Sequence, residues 1–136
     1  DSGWQNEIVQ AEQIIASIAG RKPVLFRPPF GSINDVSVRR LAAGGYTTVM
    51  WNLDSEDWRA GTSLEVFSNT KKVIEENPDG GVLLFHDTNR STVEALSLVF
   101  EWLEERNNSL VAQKKQPLKL VGIEHYIRKA FPLKKK

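Results

Sequence analysis

The sequence predicts an α/β chain of parallel βα repeats, and two observations carry that prediction. Stretches with apolar residues at helical spacing alternate with short apolar or β-branched runs, the rhythm of a parallel sheet joined by right-handed crossovers. Three segments rich in functional side chains stand where such runs end: Arg27-Pro28-Pro29-Phe30-Gly31, Asp54-Ser55-Glu56-Asp57-Trp58 and Leu83-Leu84-Phe85-His86-Asp87. Parallel α/β folds place their chemistry there, because the loops after the strands converge on one rim while the sheet stays packed.

The elements follow in order. Ile8, Ala11, Ile14, Ile15 and Ile18 mark an amphipathic helix, with Asp1 or Ser2 available to cap it and Gly20 to stop it. Val24-Leu25-Phe26 is a short buried strand, and the double proline behind it excludes helix and leaves Arg27 on a rigid loop. Asn34 or Asp35 caps a second helix through Val38, Leu41 and Ala42 to Gly44-Gly45, and Tyr46 to Trp51 forms a strand that delivers Asp54. Ser63 opens a third helix with Leu64, Phe67, Val73 and Ile74 inward, ended by Asn77-Pro78-Asp79-Gly80. The strand Gly81 to Phe85 delivers His86. A fourth helix, Thr92 to Arg106, carries Val93, Leu96, Val99, Phe100 and Leu103, Leu118 to Val121 reads as a last strand, and 124–136 as a terminal helix or tail.

With 136 residues, 40% of them hydrophobic, the chain can form one core, but it is short of the about 250 residues typical of a closed barrel of βα units. It reads as one domain or a piece of one. The 18 basic and 17 acidic residues leave a formal charge of +1, which predicts no nucleic-acid partner. Lys134-Lys135-Lys136 reads as a solvated tail. The absence of cysteine excludes disulfides, thiolate metal sites and a cysteine nucleophile while leaving the compartment open. No apolar stretch approaches the ~18 residues of a membrane span. The opening Asp1-Ser2-Gly3-Trp4, without a methionine, reads as the middle of something longer.

His86 is anchored by an apolar strand, either as a hydrogen-bonding cap on the sheet or as a proton donor beside Leu84, which points to the same side of the strand. Asp54 and Asp57 flank Glu56 ahead of Trp58, giving either an acidic turn with Trp58 in the core or a groove lined by the indole. If Asp54 reaches His86, it fixes the tautomer and favours the protonated ring, making His86 a general acid. Arg27 is suited to clamp a carboxylate in bidentate fashion, or to make a rim salt bridge with Asp57. The backbone N–H of Phe30 is a candidate oxyanion donor.

Arg-Pro-Pro-aromatic-Gly, Asp-Ser-x-Asp-Trp and the apolar run into His86-Asp87, in this order and at these intervals, resemble the last three of the five motifs of the NodB-type polysaccharide deacetylases, from about Glu7 to Val121. That resemblance implies the C-terminal part of a distorted (β/α) barrel and metal-dependent hydrolysis of the acetamide in chitin, chitooligosaccharide or peptidoglycan. Carried over, Arg27 would orient the catalytic-base aspartate and Phe30 N–H would stabilise the oxyanion. Trp58 would wall the groove and Leu84 line the acetyl-methyl pocket. Asp54 would tune His86, which would protonate the leaving amine.

The first two motifs, a Thr-Phe-Asp-Asp-like strand end and a His-x-x-x-His pair, have no counterpart here; the other histidine, His125, stands alone near the C-terminus. The resemblance therefore implies a divalent cation, zinc foremost, held by ligands outside this chain. It implies an N-terminal portion as partner, inactivity of the 136 residues alone, and a secreted or cell-wall location. A non-catalytic glycan-binding or scaffold module of the same fold is the rival reading.

Overall fold

The computed structural model describes residues 2–130, which divide between Met50 and Trp51 into two compact units. The expected cap Asp1 and the lysine tail lie outside the described residues. In the first unit, α1 (Ser2–Ala19) leads to β1 (Leu25–Phe26), a 3-10 turn (Pro29–Gly31), α2 (Asp35–Ala43) and β2 (Thr47–Thr48). β1 and β2 pair in parallel, Leu25 opposite Thr47 and Phe26 opposite Thr48. The ladder is extended by Thr47 N–H to Val24 O at 2.8 Å and Val49 N–H to Phe26 O at 2.8 Å. Asn34 is the cap of α2, its side chain accepting from Ser37 N at 2.9 Å.

Tyr46 ties α1 to this sheet, its hydroxyl donating to the Glu12 carboxylate, which lies 3.0 Å from Lys22 Nζ. Burial, reinforced by Glu12, pushes the Tyr46 phenol up to about 12, and the tyrosine's hydrogen bond holds Glu12 below its ordinary range. The apolar face expected of α1 is only partly covered: Ile14 and Ile15 are exposed, and Ile18 keeps 82% of its surface.

The second unit runs β3 (Leu53–Asp54), α3 (Ser63–Glu76), β4 (Leu83–Leu84), α4 (Arg90–Ala112) and α5 (Ile123–Ala130). β3 and β4 are parallel, with Leu53 opposite Leu83 and Asp54 opposite Leu84. The α/β class with parallel strands is thus as the sequence predicts, but the strands are shorter. The single strand expected over Tyr46–Trp51 is replaced by β2 and, beyond Trp51, β3. Its length was overestimated because a β-branched run states a preference without fixing where pairing ends.

The cap of α3 is Thr62, one residue before the predicted opening Ser63, in a reciprocal capping box with Glu65. Val66 and Thr70 are the buried positions of α3, whereas Leu64, expected inward, is exposed. α4 buries Thr92, Ala95, Val99 and Leu103, a stripe at i, i+3 and i+4 spacing. The expected Val93 and Phe100 are exposed; Thr92 and Ala95 were passed over because neither is strongly apolar. The predicted last strand at Leu118 is a loop pinned by Asn107, which accepts from Leu118 N at 2.8 Å and donates to Leu118 O at 3.0 Å.

Asn52 aligns β3 with β4 by accepting from Val82 N at 2.9 Å. A Cβ added at Gly81 would come within 2.3 Å of the same side-chain oxygen. Gly81→Ala should therefore destabilise the fold by about 0.5–1.5 kcal/mol in a denaturant melt, by displacing Asn52 from its hydrogen bond with Val82 N–H. In an Asn52→Ala background the same change should cost less, since the three atoms nearest to that Cβ, all of the Asn52 amide, are gone.

Candidate functional site

The site grows from a turn at the end of β3. Asp54 Oδ1 accepts from Glu56 N at 2.9 Å, an Asx-type turn, while its Oδ2 accepts from Trp51 Nε1 at 3.2 Å. Glu56 takes a left-handed φ of 51°, and its carboxylate pairs with Arg59. The reversal turns Ser55 and Asp57 inward, where both side chains are fully buried. Ser55 Oγ donates to Leu84 O at 2.7 Å, binding the loop to the end of β4.

Asp57 is the hub. Its Oδ1 lies 2.8 Å from His86 Nδ1, and its Oδ2 accepts from His86 N at 2.7 Å and from Thr92 Oγ1 at 2.8 Å. Its backbone carbonyl accepts from Asn89 Nδ2 at 3.4 Å. Burial pushes the Asp57 carboxyl up, but the donors from His86 and Thr92 outweigh it and hold the group below the ordinary carboxylate range. An ionised Asp57 is acceptor-only, so the proton between the two groups sits on Nδ1. The His86 side chain retains 33% of its surface, and Nε2 is the nitrogen left to meet a reacting group. Such a carboxylate-held imidazole is equipped for proton transfer.

The expected partner of His86 was Asp54; the structure assigns that place to Asp57. Asp54 is the terminal residue of β3, in register with Leu84, and both its oxygens are engaged by Trp51 and Glu56. Three residues later the turn has carried Asp57 beneath the end of β4. Trp58 is 61% exposed rather than folded into the core, with the Arg59 guanidinium 6.0 Å from its ring centroid. Leu84 is buried.

Arg27 and Phe30 belong to the first unit. Phe30 is fully exposed and its backbone adopts φ 56° and ψ 13°, a left-handed conformation that a bulky residue holds only when its surroundings impose it. The turn is closed by Gly31 N to Pro28 O at 3.1 Å and Ser32 N to Pro29 O at 3.0 Å. Among the described residues no group of three or more His, Cys, Asp or Glu side chains converges to hold a metal ion.

Sequence reading missed Ser55 and Thr92 as parts of the site. Ser55 lies inside a segment already singled out, and Thr92 is a buried threonine in the first turn of a helix, six residues beyond the histidine.

The lowered Asp57 group fixes a pH dependence. Its stabilisation is fully present above the unfolded value near about 3.9 and is lost as pH falls through the lower folded value. Asp57→Asn should cost about 2–3 kcal/mol at neutral pH, and the gap between the two proteins in denaturant melts should close below about pH 4.

Residues 1–49 match the family model described as polysaccharide deacetylase. The peptidoglycan-N-acetylglucosamine deacetylase PgdA of Listeria monocytogenes is 27% identical over 106 residues, 78% of this chain and 22% of that protein. Among solved structures, the polysaccharide deacetylase Bc1974 of Bacillus cereus matches with a TM-score of 0.64 at 28% identity, over 76% of this chain and 53% of that one. BA3943 of Bacillus anthracis, described as a CE4 family pseudoenzyme, matches with a TM-score of 0.62 at 28% identity, over 70% of this chain and 32% of that one. The chain thus spans from about a fifth to about half of the length of these relatives.

Proposed function

The chain's kinship is with the NodB-type polysaccharide deacetylases, and from it we propose that these residues supply the proton-donating side of a deacetylase acting on an N-acetylglucosamine polymer such as chitin, chitooligosaccharide or peptidoglycan. The observation that carries this reading is the His86–Asp57 pair at the end of β4, with Nδ1 engaged by a buried carboxylate and Nε2 left to serve a reacting group. In hydrolysis of the acetamide, water adds to the carbonyl carbon, the C–N bond breaks, and acetate and a free amine result. His86 gives the leaving nitrogen the proton it needs from Nε2, while Asp57 holds the ring orientation through Nδ1.

The same kinship supports the remaining roles. The left-handed, side-chain-exposed geometry of Phe30 supports a backbone role as oxyanion donor. Arg27 orients the catalytic-base aspartate of an N-terminal portion. Trp58, exposed on its loop, walls the groove, and Leu84 bounds the acetyl-methyl pocket. The cation that the family implies, zinc foremost, would take its ligands from that other portion, so the 136 residues by themselves are inactive. A polymer of the cell wall as substrate places the protein outside the cell or at its wall; no helix among the described residues is long and apolar enough to cross a membrane.

One observation favours a second reading, a glycan-binding module without turnover: BA3943, similar in fold and sequence, is itself described as a pseudoenzyme. Acetate release separates the two. The complete protein supplied with zinc should liberate acetate from chitooligosaccharide or peptidoglycan, and His86→Ala should lower the rate about 10²–10⁴-fold, the usual worth of a general acid. Glycan binding without acetate release by the complete protein would establish the module instead, and turnover by the 136 residues alone would break the division of roles.

A further inference from the structure

We propose that Thr92 is a positioning residue for His86, its hydroxyl locking the plane of the Asp57 carboxylate so that Oδ1 is presented squarely to Nδ1. A carboxylate turns easily about its last side-chain bond, because that torsion is broad and two-fold. With only His86 N–H at Oδ2, at 2.7 Å, the group could rock about that contact and drag Oδ1 away from the ring. A second donor on the same oxygen, Thr92 Oγ1 at 2.8 Å, removes the freedom. Thr92 suits the task because it is buried, is stiff at χ1 as a β-branched residue, and sits in the first turn of α4, where Thr92 N donates to Asn89 O at 3.2 Å.

A contrast within the same unit shows that this is a choice. Thr70, also buried, sends its hydroxyl back to Val66 O at 2.7 Å, the local bond a helical threonine makes when nothing else calls on it. Thr92 instead donates across 35 positions of sequence to Asp57. The hydroxyl belongs to the site rather than to the helix.

The tautomer of His86 reads this role directly, and packing alone would not move it. In ring-nitrogen NMR of this chain, neutral His86 should carry its proton on Nδ1. Thr92→Val, which keeps the volume and deletes the hydroxyl, should shift the ratio several-fold toward Nε2–H; Thr92→Ser should keep the original ratio even if it melts earlier for want of the methyl group. A folded Val variant with an unchanged ratio, or a Ser variant as altered as the Val, overturns the proposal. If the Val variant does not fold, the unsubstituted chain decides. A Thr92 hydroxyl proton protected from exchange supports the role, and one exchanging as fast as a surface threonine's refutes it.

The consequence for turnover rests on the function proposed above: in the complete protein Thr92→Val should lower kcat about tenfold at constant KM, as for other partners that orient a histidine, with Thr92→Ser restoring most of it. An inactive complete protein would refute that function and leave the tautomer result standing; an active one with kcat unchanged in Thr92→Val would refute the positioning role.

Discussion

One buried carboxylate organises the second unit. Asp57 is taken wholly out of water and remains ionised only because a ring nitrogen, a backbone amide and a hydroxyl all direct protons at it. Those donors come from two places in the sequence, the end of β4 and the first turn of α4. Satisfying the charge therefore fixes three segments against one another. The Ser55 hydroxyl on Leu84 O secures the same junction through a neutral bond. The carboxylate that holds the His86 ring is thus also the one that ties the loop to β4 and α4.

The packing beneath serves this arrangement. α3 packs against α4, where Val66, Thr70, Ala95, Val99 and Leu103 are buried, and the first turn of α4 carries the residue that reaches Asp57. Asn52 sets β3 beside β4 through a contact that only glycine at position 81 tolerates. Short strands suffice because side-chain bonds take over where ladder bonds end: Asn52 before β4, Ser55 after β3 and Asn107 at Leu118. In the first unit the same economy appears as Tyr46 and Glu12 joining sheet to helix.

What was legible in the sequence was what local chemistry writes there. Helical periodicity located α1 to α4, the double proline marked the turn that bears Phe30, and of the two caps offered for α2, Asn34 and Asp35, Asn34 is the one used. Strand ends and the last strand were not legible, because pairing is decided by partners distant in the chain; at Leu118 the partner was the side chain of Asn107. In α3 and α4 a count of apolar residues alone passes over Thr70, Thr92 and Ala95, although Val99 and Leu103 are buried as expected. Small and hydroxyl-bearing residues occupy buried positions when a neighbour helix comes close or an acceptor is within reach. Choosing between Asp54 and Asp57 required knowing that a turn closes on the first and offers up the second.

Asp57, and not Asp54, holds the imidazole proposed to deliver the proton. The most direct measurement compares Asp57→Asn with Asp54→Asn in the complete protein supplied with zinc, scoring acetate release against retained fold. Asp57→Asn, with its fold intact by circular dichroism, should lose about two orders of magnitude in kcat, while Asp54→Asn should keep a far larger share. Equal activity of the Asp57 variant and the unsubstituted protein, or a deeper loss at Asp54 than at Asp57, would contradict that assignment.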